Sequence, residues 1–273
     1  MNKTIFITGT STGLGKETAL YFAQKGWNVI ATMRNPSAHQ HFDGVPNITL
    51  YKLDITNKAQ IESVISEIIK NNTVDVVFNN AGYGLIGPFE ATTDEQILQQ
   101  INTNILGGMR ITKAFIPHFR ERGSGVFLNA TSIAGHSAFP LFSAYHASKW
   151  ALEGWSESLA YELEHFGIAV KILVPGRINT DFDGRSLVVT NHPAYHDFMK
   201  QVESVYNQPK RLKNQSTTDQ VVKVIYGAAT DGKNKLRYIV GSDAKLIFTL
   251  RRWLGHKLFI KIVNWIFLKK FKF

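Results

Sequence analysis

The 273-residue chain contains no cysteine. Disulfides, thiolate catalysis and Cys-ligated metals are therefore excluded. It also lacks any run approaching the ~18 apolar residues that a spanning helix needs. No basic segment with an apolar stretch and a cleavage site precedes the first strand-like run, TIFIT from Thr4. A cytoplasmic protein without a signal peptide is the expectation. Histidines do not fill the place of the missing thiols. His192 and His196 in HPAYH are four apart, but Pro193 disturbs the turn and no third ligand is evident, so no metal is expected.

Acidic residues are scarce at one end only. Residues 233–273 hold eleven Lys/Arg against one acid, Asp243, so the whole net charge of +10 sits there and residues 1–232 are neutral. A neutral body argues against a nucleic-acid binder, whose basic footprint would lie on the domain itself. The tail, RRWLGHKLFIKIVNWIFLKKFKF, is aromatic as well as basic. Leu254, Leu258, Phe259, Ile262, Ile266 and Phe267 follow helical spacing, with Lys257, Lys261 and Asn264 on the other side. Two readings follow: a helix lying in a membrane interface, or a helix that closes a substrate cleft or packs on a partner.

With 44% hydrophobic residues the chain can bury one large core. Short runs rich in Val, Ile, Leu and Phe, at 3–8, 27–31, 48–53, 74–79, 125–130, 168–174 and 237–241, read as strands covered on both faces. Helical patterns lie between them, near 14–25, 57–70, 94–120, 143–166 and 217–229. This alternation predicts an α/β, doubly wound Rossmann fold. Its seven-stranded parallel sheet has order 3-2-1-4-5-6-7, with helices on both faces. The expected organisation is a dinucleotide-binding and catalytic domain at 1–242, with a substrate lid at 176–215, and a basic aromatic helical extension at 243–273.

The chemistry-bearing residues fall at strand ends. The first strand runs into TGTSTGLG, placing Gly9, Ser11, Thr12, Gly13, Leu14 and Gly15 at a strand-to-helix turn. Such a turn lets a pyrophosphate approach the backbone and the free N–H groups of the next helix. The second strand leads to Arg34, which suits a ribose 2′-phosphate where NAD enzymes place an acid. Asp54 and Ile55 follow the third strand; Asp54 is placed to accept from an adenine amino group, or simply to cap the next helix. NNAG, with Asn80, Ala81 and Gly82, ends the fourth strand. Ser132 lies just beyond the fifth, and PGRINT, with Pro175, Gly176 and Thr180, ends the sixth. Tyr145 and Lys149 sit four apart in YHASK, which stacks them on one helix face. These segments converge on the rim where open α/β sheets bind ligands.

TGTSTGLG, NNAG, Asn104 in NILGG, Ser132, YHASK and PGRINT stand in the order and spacing of the short-chain dehydrogenase/reductase family, which the chain resembles from about residue 3 to 241. The finer texture resembles the hydroxysteroid and retinol dehydrogenase group. Thr131, where many members have a second Ser, and Trp150, where a smaller or Phe side chain is common, depart from the pattern. The resemblance implies a catalytic tetrad of Asn104, Ser132, Tyr145 and Lys149. Ser132 and Tyr145 would contact the substrate, an apolar secondary alcohol or the matching ketone (or aldehyde), and Tyr145 and Lys149 the cofactor, NADP with NAD as the alternative. It also implies pairing of copies through the helices at 94–120 and 143–166. Lowering a tyrosine from ~10 to about 7 takes about 4 kcal/mol, and an ammonium at about 4 Å supplies that order. Lys149 is expected to be that charge, and Asn104 to hold a water leading from it to solvent. His136, Phe139, Phe142 and His146 are expected either to line a pocket or to pack. Two non-enzymatic readings stand beside this one: a dinucleotide sensor without turnover, and a membrane-docked scaffold.

Overall fold

The computed structural model describes residues 2–180, 182–209 and 215–268. Asp181 and residues 210–214 of the expected lid, and 269–273 of the basic tail, lie outside the described residues. Seven parallel strands form the central sheet: β1 (Thr4–Thr8), β2 (Asn28–Met33), β3 (Ile48–Lys52), β4 (Val76–Asn79), β6 (Gly125–Ala130), β7 (Ile168–Pro175) and β11 (Arg237–Val240). Their order is β3-β2-β1-β4-β6-β7-β11, the order expected from the sequence. Strand β5 (Gly84–Ile86) pairs with β9 (Leu187–Val189), and β8 (Ile178–Asn179) with β10 (Ser216–Thr217). These short pairs were too brief to leave a period in the sequence.

Period-two alternation divides the strand side chains between two layers. Ile5, Ile7, Val29, Ala31, Val76 and Phe78 pack with α1 (Gly13–Gln24) and α8 (Thr218–Thr230). Phe6, Ile30, Val77 and Phe127 pack with α2 (Lys58–Asn71), α4 (Gly108–Arg122) and α5 (Ser143–Leu163). Register sets Thr8 beside Thr32, Asn79 beside Asn129 and Ala130 beside Leu173, so the carboxyl ends make one polar rim. The chain reverses its winding between β1 and β4, and the crevice lies there.

The helix expected over 94–120 is not uniform. Helix α3 (Asp94–Ile101), held by a Thr93–Gln96 capping box, passes into a π-helical segment, Asn102–Gly107, before α4. Between β8 and α8 the chain forms α6 (Phe182–Arg185), β9 and α7 (His196–Tyr206). Helix α9 (Ser242–Phe267) follows β11 and is kinked at Gly255, where φ is 65° and ψ 177°. Its inward residues, Phe259 and Phe267, are buried. Phe267, Val263 and Ile266 pack with Val202 and Val205 of α7 and with Phe139 and Leu141. The apolar stripe read from the tail thus largely covers the protein itself, with Leu258 left outside.

Candidate active site

The glycine turn is shaped by backbone contacts. Gly9 (φ 71°) lies so close to Ala81 that a Cβ would stand 2.9 Å from its Cα. A Cβ at Gly15 would stand 2.2 Å from the Gly9 oxygen and 2.5 Å from Asn80 Nδ2. Gly13 (φ 55°) faces open space. Asn80 braces the turn: its Nδ2 donates to Thr8 O (3.0 Å) and Gly9 O (3.1 Å). Ala81 N donates to Thr8 Oγ1 at 3.1 Å. Helix α1 has no side-chain cap and no acid in its first turn. Its first N–H groups therefore lack a side-chain acceptor and suit an anion. A polar cleft of about 470 Å³ opens there, lined by Ser11, Thr12, Gly13, Lys16, Thr180 and Arg185 among others. These residues fit a dinucleotide's phosphates in charge and in room. His39 and His41 also line the cleft; the sequence offered no motif for them.

Other expected contacts sit further along the rim. Arg34 is exposed at the exit of β2. Asp54 does not cap α2; Asn57 does, accepting from Gln60 N at 3.0 Å. Asp54 Oδ1 instead accepts from the N–H and hydroxyl of Thr56. Ile55 packs on Gly107 of the π segment, where a Cβ would meet its Cδ1 at 2.6 Å. Leu14 packs on the core, while a Cβ at Gly82 would stand 3.1 Å from Asn104 Oδ1. Pro175 ends β7, and Gly176 abuts Asp243, which accepts from Arg177 N at 2.8 Å and ties the PGR turn to α9.

The proposed tetrad residues converge. Tyr145 lies in the first turn of α5, with the Ser132 hydroxyl near enough to lower its pKa. Lys149, one turn on, is buried; its Nζ donates to Ala130 O at 3.0 Å and lies 5.8 Å from the Tyr145 ring centroid. Ser132 also caps the following turn, accepting from Ala134 N. Asn104 is buried, and both ends of its side-chain amide are hydrogen-bonded. Oδ1 accepts from Tyr83 N (3.0 Å), and Nδ2 donates to Tyr83 O (2.8 Å) and Ser148 Oγ (3.1 Å). Oδ1 keeps a second lone pair, so the side chain can still take the water expected of it. The adjoining cavity, about 10 Å³ between Asn79, Asn104, Asn129 and Ala130, has room for a single water.

The electrostatics depart from the simple expectation. Burial pushes the Tyr145 hydroxyl up to about 12, and the Ser132 hydroxyl only partly opposes this. Burial lowers Lys149 to about 8, with the Glu153 carboxylate working the other way. Lys149 therefore does not by itself bring the phenol into the neutral range. The site holds a protonated phenol next to a hydroxyl, a set suited to giving a proton to a carbonyl oxygen.

Glu153, missed in the sequence, continues the Tyr145–Lys149 face by another turn. It is buried and accepts from Thr131 Oγ1 (2.6 Å) and Arg237 Nε (3.1 Å), with His136 Nε2 at 3.2 Å. Burial raises its carboxyl, but His136, Thr131 and Arg237 outweigh that and hold it below the usual range. His146 packs rather than lining a pocket. Its Nδ1 faces Ala134 O and its Nε2 accepts from Phe139 N, both at 2.8 Å. Phe142 lies 6.4 Å from the Tyr145 ring and 5.3 Å from Tyr206, which lies 5.3 Å from Phe267. Trp150 turns away from this wall and stacks under Arg251 of α9 at 5.1 Å.

A doubly wound sheet whose rim joins an uncapped glycine turn to a half-buried Ser–Tyr pair backed by a buried Lys defines a dinucleotide-dependent oxidoreductase. The family model described as short chain dehydrogenase matches residues 3–187, and the chain belongs to that family. An uncharacterised oxidoreductase of Schizosaccharomyces pombe is 36% identical over 240 residues, covering 82% of this chain and all of the relative. The crystal structure of a short-chain dehydrogenase from Streptomyces avermitilis is 29% identical with TM-score 0.83, covering 100% of this chain and 98% of that one. The structure titled "ElxO with NADP Bound" is 29% identical with TM-score 0.73, covering 88% and 98%.

Proposed function

We propose that the chain is an NADP-preferring reductase and dehydrogenase that interconverts an apolar ketone or aldehyde with its alcohol. The neighbouring Ser132 and Tyr145 hydroxyls, with Lys149 behind them, carry this reading. The cofactor supplies the hydride. In reduction, Ser132 holds the substrate oxygen and Tyr145 gives it a proton. The phenolate left behind is stabilised by Lys149 and by the positive end of α5. Lys149 also holds the nicotinamide ribose. Reprotonation runs through the small cavity beside the π segment. Gly9, Ser11, Thr12, Gly13, Leu14, Gly15, Asn80, Ala81, Gly82, Pro175, Gly176 and Thr180 hold the dinucleotide. Arg34 takes the 2′-phosphate, Asp54 and Ile55 the adenine. The aromatic wall of Phe142, Tyr206 and Phe267 supports an apolar substrate, with 176–215 as its lid.

The test is a screen of apolar ketones and aldehydes for NADPH oxidation, with NADH in parallel. Tyr145→Phe is expected to lower kcat/KM by about 10²–10⁴ while NADPH still binds. Full retention of turnover would sink the assignment. Unaltered biological activity of that variant would favour a sensor or scaffold.

The outer face of α9 supports a second reading, peripheral membrane contact. Trp253 (80% exposed), Leu258, Ile260 and Trp265 stand among exposed Arg252, Lys257 and Lys261. Such a surface suits an anionic interface. Co-sedimentation with anionic vesicles is expected for the full chain and not for Trp253→Glu/Trp265→Glu; equal binding by both overturns it. A second copy is proposed to dock on α3–α4 and α5, where Leu98, Ile101 and Tyr161 are exposed. Light scattering of the purified chain tests that.

A further inference from the structure

The polar cleft along the glycine turn has a side that Arg34 does not explain. Its walls include Lys16 of α1 and two histidines, His39 and His41, from the loop after β2. His41 is partly buried, with its Nε2 3.3 Å from Thr10 O, its ring 4.2 Å from Phe42 and 5.3 Å from His39. This placement fixes which proton matters. Nε2 faces an acceptor, the Thr10 carbonyl, which favours the neutral ring with its hydrogen on Nε2. Nδ1 of the neutral ring is then a bare acceptor and cannot donate to a phosphate oxygen. Protonation turns it into a charged donor.

The charged groups around the ring are Lys16 and Glu17 of α1, bridged at 3.6 Å, His39 of the same loop, and Arg185 of α6. Helix α8 contributes the hydroxyl of Thr218 to the cleft. Burial, Lys16 and His39 together outweigh the Thr10 carbonyl and Glu17 and favour the neutral ring. A phosphate dianion beside it reverses that balance.

We propose that His41, assisted by His39 and Lys16, is a second contact for the adenosine 2′-phosphate, so that selection of NADPH over NADH strengthens as pH falls from 8 to 6. This rests on the reading of the chain as NADP-preferring.

The test measures dissociation constants of NADPH and NADH by nicotinamide fluorescence between pH 6 and 8 at fixed ionic strength. Wild type, His41→Gln and His41→Lys are compared, with circular dichroism confirming the fold at each pH. The ratio of the two constants is expected to rise about tenfold toward pH 6 in wild type, the worth of one charge-assisted hydrogen bond. It should vary far less in His41→Gln, which faces the same titrating ligand. In His41→Lys it should stay high across the range. An equal pH response in wild type and His41→Gln overturns the role of His41 but leaves NADP preference standing. No preference for NADPH at any pH overturns both. Calorimetry of NADPH binding in two buffers supplies a further readout: proton uptake in wild type that His41→Gln lacks supports the proposal, and equal uptake in the two overturns it.

Discussion

At the scale of single residues, the site is governed by how burial and charge divide along one face of α5. Tyr145, Lys149 and Glu153 lie at successive i+4 positions, so phenol, ammonium and carboxylate stack in a line. The tyrosine and lysine were legible because their spacing belongs to a recognised pattern. Glu153 was equally visible in the letters, but its importance came from partners just past β6, on β11 and in the turn after Ser132, which no local spacing reveals. The Glu153 carboxylate supports the charge on Lys149 against burial. Glu153→Gln is therefore expected to lower the Lys149 value further. A lysine loses its charge as pH rises through its pKa, so the alkaline limb of kcat/KM should move to lower pH. An unmoved limb would show that Lys149 is held by other means. The same variant leaves Arg237 and Thr131 short of a charged acceptor and should cost about 1–3 kcal/mol in urea unfolding.

At the scale of elements, the glycines of one turn separate into different physical roles. Gly13 needs its left-handed backbone but faces open space, whereas Gly15 is pressed against the Gly9 carbonyl and the Asn80 amide. Gly13→Ala should cost about 1–2 kcal/mol, the usual strain of an L-residue in that region. Gly15→Ala must displace the turn itself. It should weaken NADPH binding far more than Gly13→Ala, as read by fluorescence titration, and comparable losses would contradict this division. Sequence pattern located the turn but could not rank its glycines, since the ranking depends on contacts with β4. The same limit explains two other differences. The π segment at Asn104 sits inside an unbroken helical pattern and is marked by tertiary contacts with Tyr83 and Ser148. The kink at Gly255 breaks a tail whose apolar spacing read as one face. Trp150, odd by its bulk, is explained only by the α9 guanidinium it stacks with.

At the scale of the whole molecule, continuous buried strands and right-handed crossovers made the sheet order legible, because few topologies satisfy both. Less legible was a polar tie within that apolar frame. Lys171, buried in the middle of β7, donates to Ala228 O at the end of α8 (2.7 Å) and to Asp231 (2.6 Å). Tyr238 of β11 donates to the other Asp231 oxygen at 2.6 Å. One lysine thus joins β7, α8 and the edge strand. Burial raises Asp231, but the Lys171 ammonium, the Tyr238 hydroxyl and the Lys233 N–H outweigh it and hold the carboxyl at about 2, below the ordinary 3.8. A depressed carboxyl contributes stability that is present above its unfolded pKa and lost as pH falls through the folded one. The gain, of the order of 2 kcal/mol, should be intact at pH 7 and fade between about pH 4 and 2. Lys171→Met keeps the volume and removes the charge, leaving Asp231 without its paired cation. Urea unfolding at pH 7 should show the variant less stable by about 2–4 kcal/mol, with the gap from wild type narrowing toward pH 3 as Asp231 takes up its proton. A gap that stays constant with pH would locate the loss in packing of the Lys171 stem rather than in its pairing with Asp231.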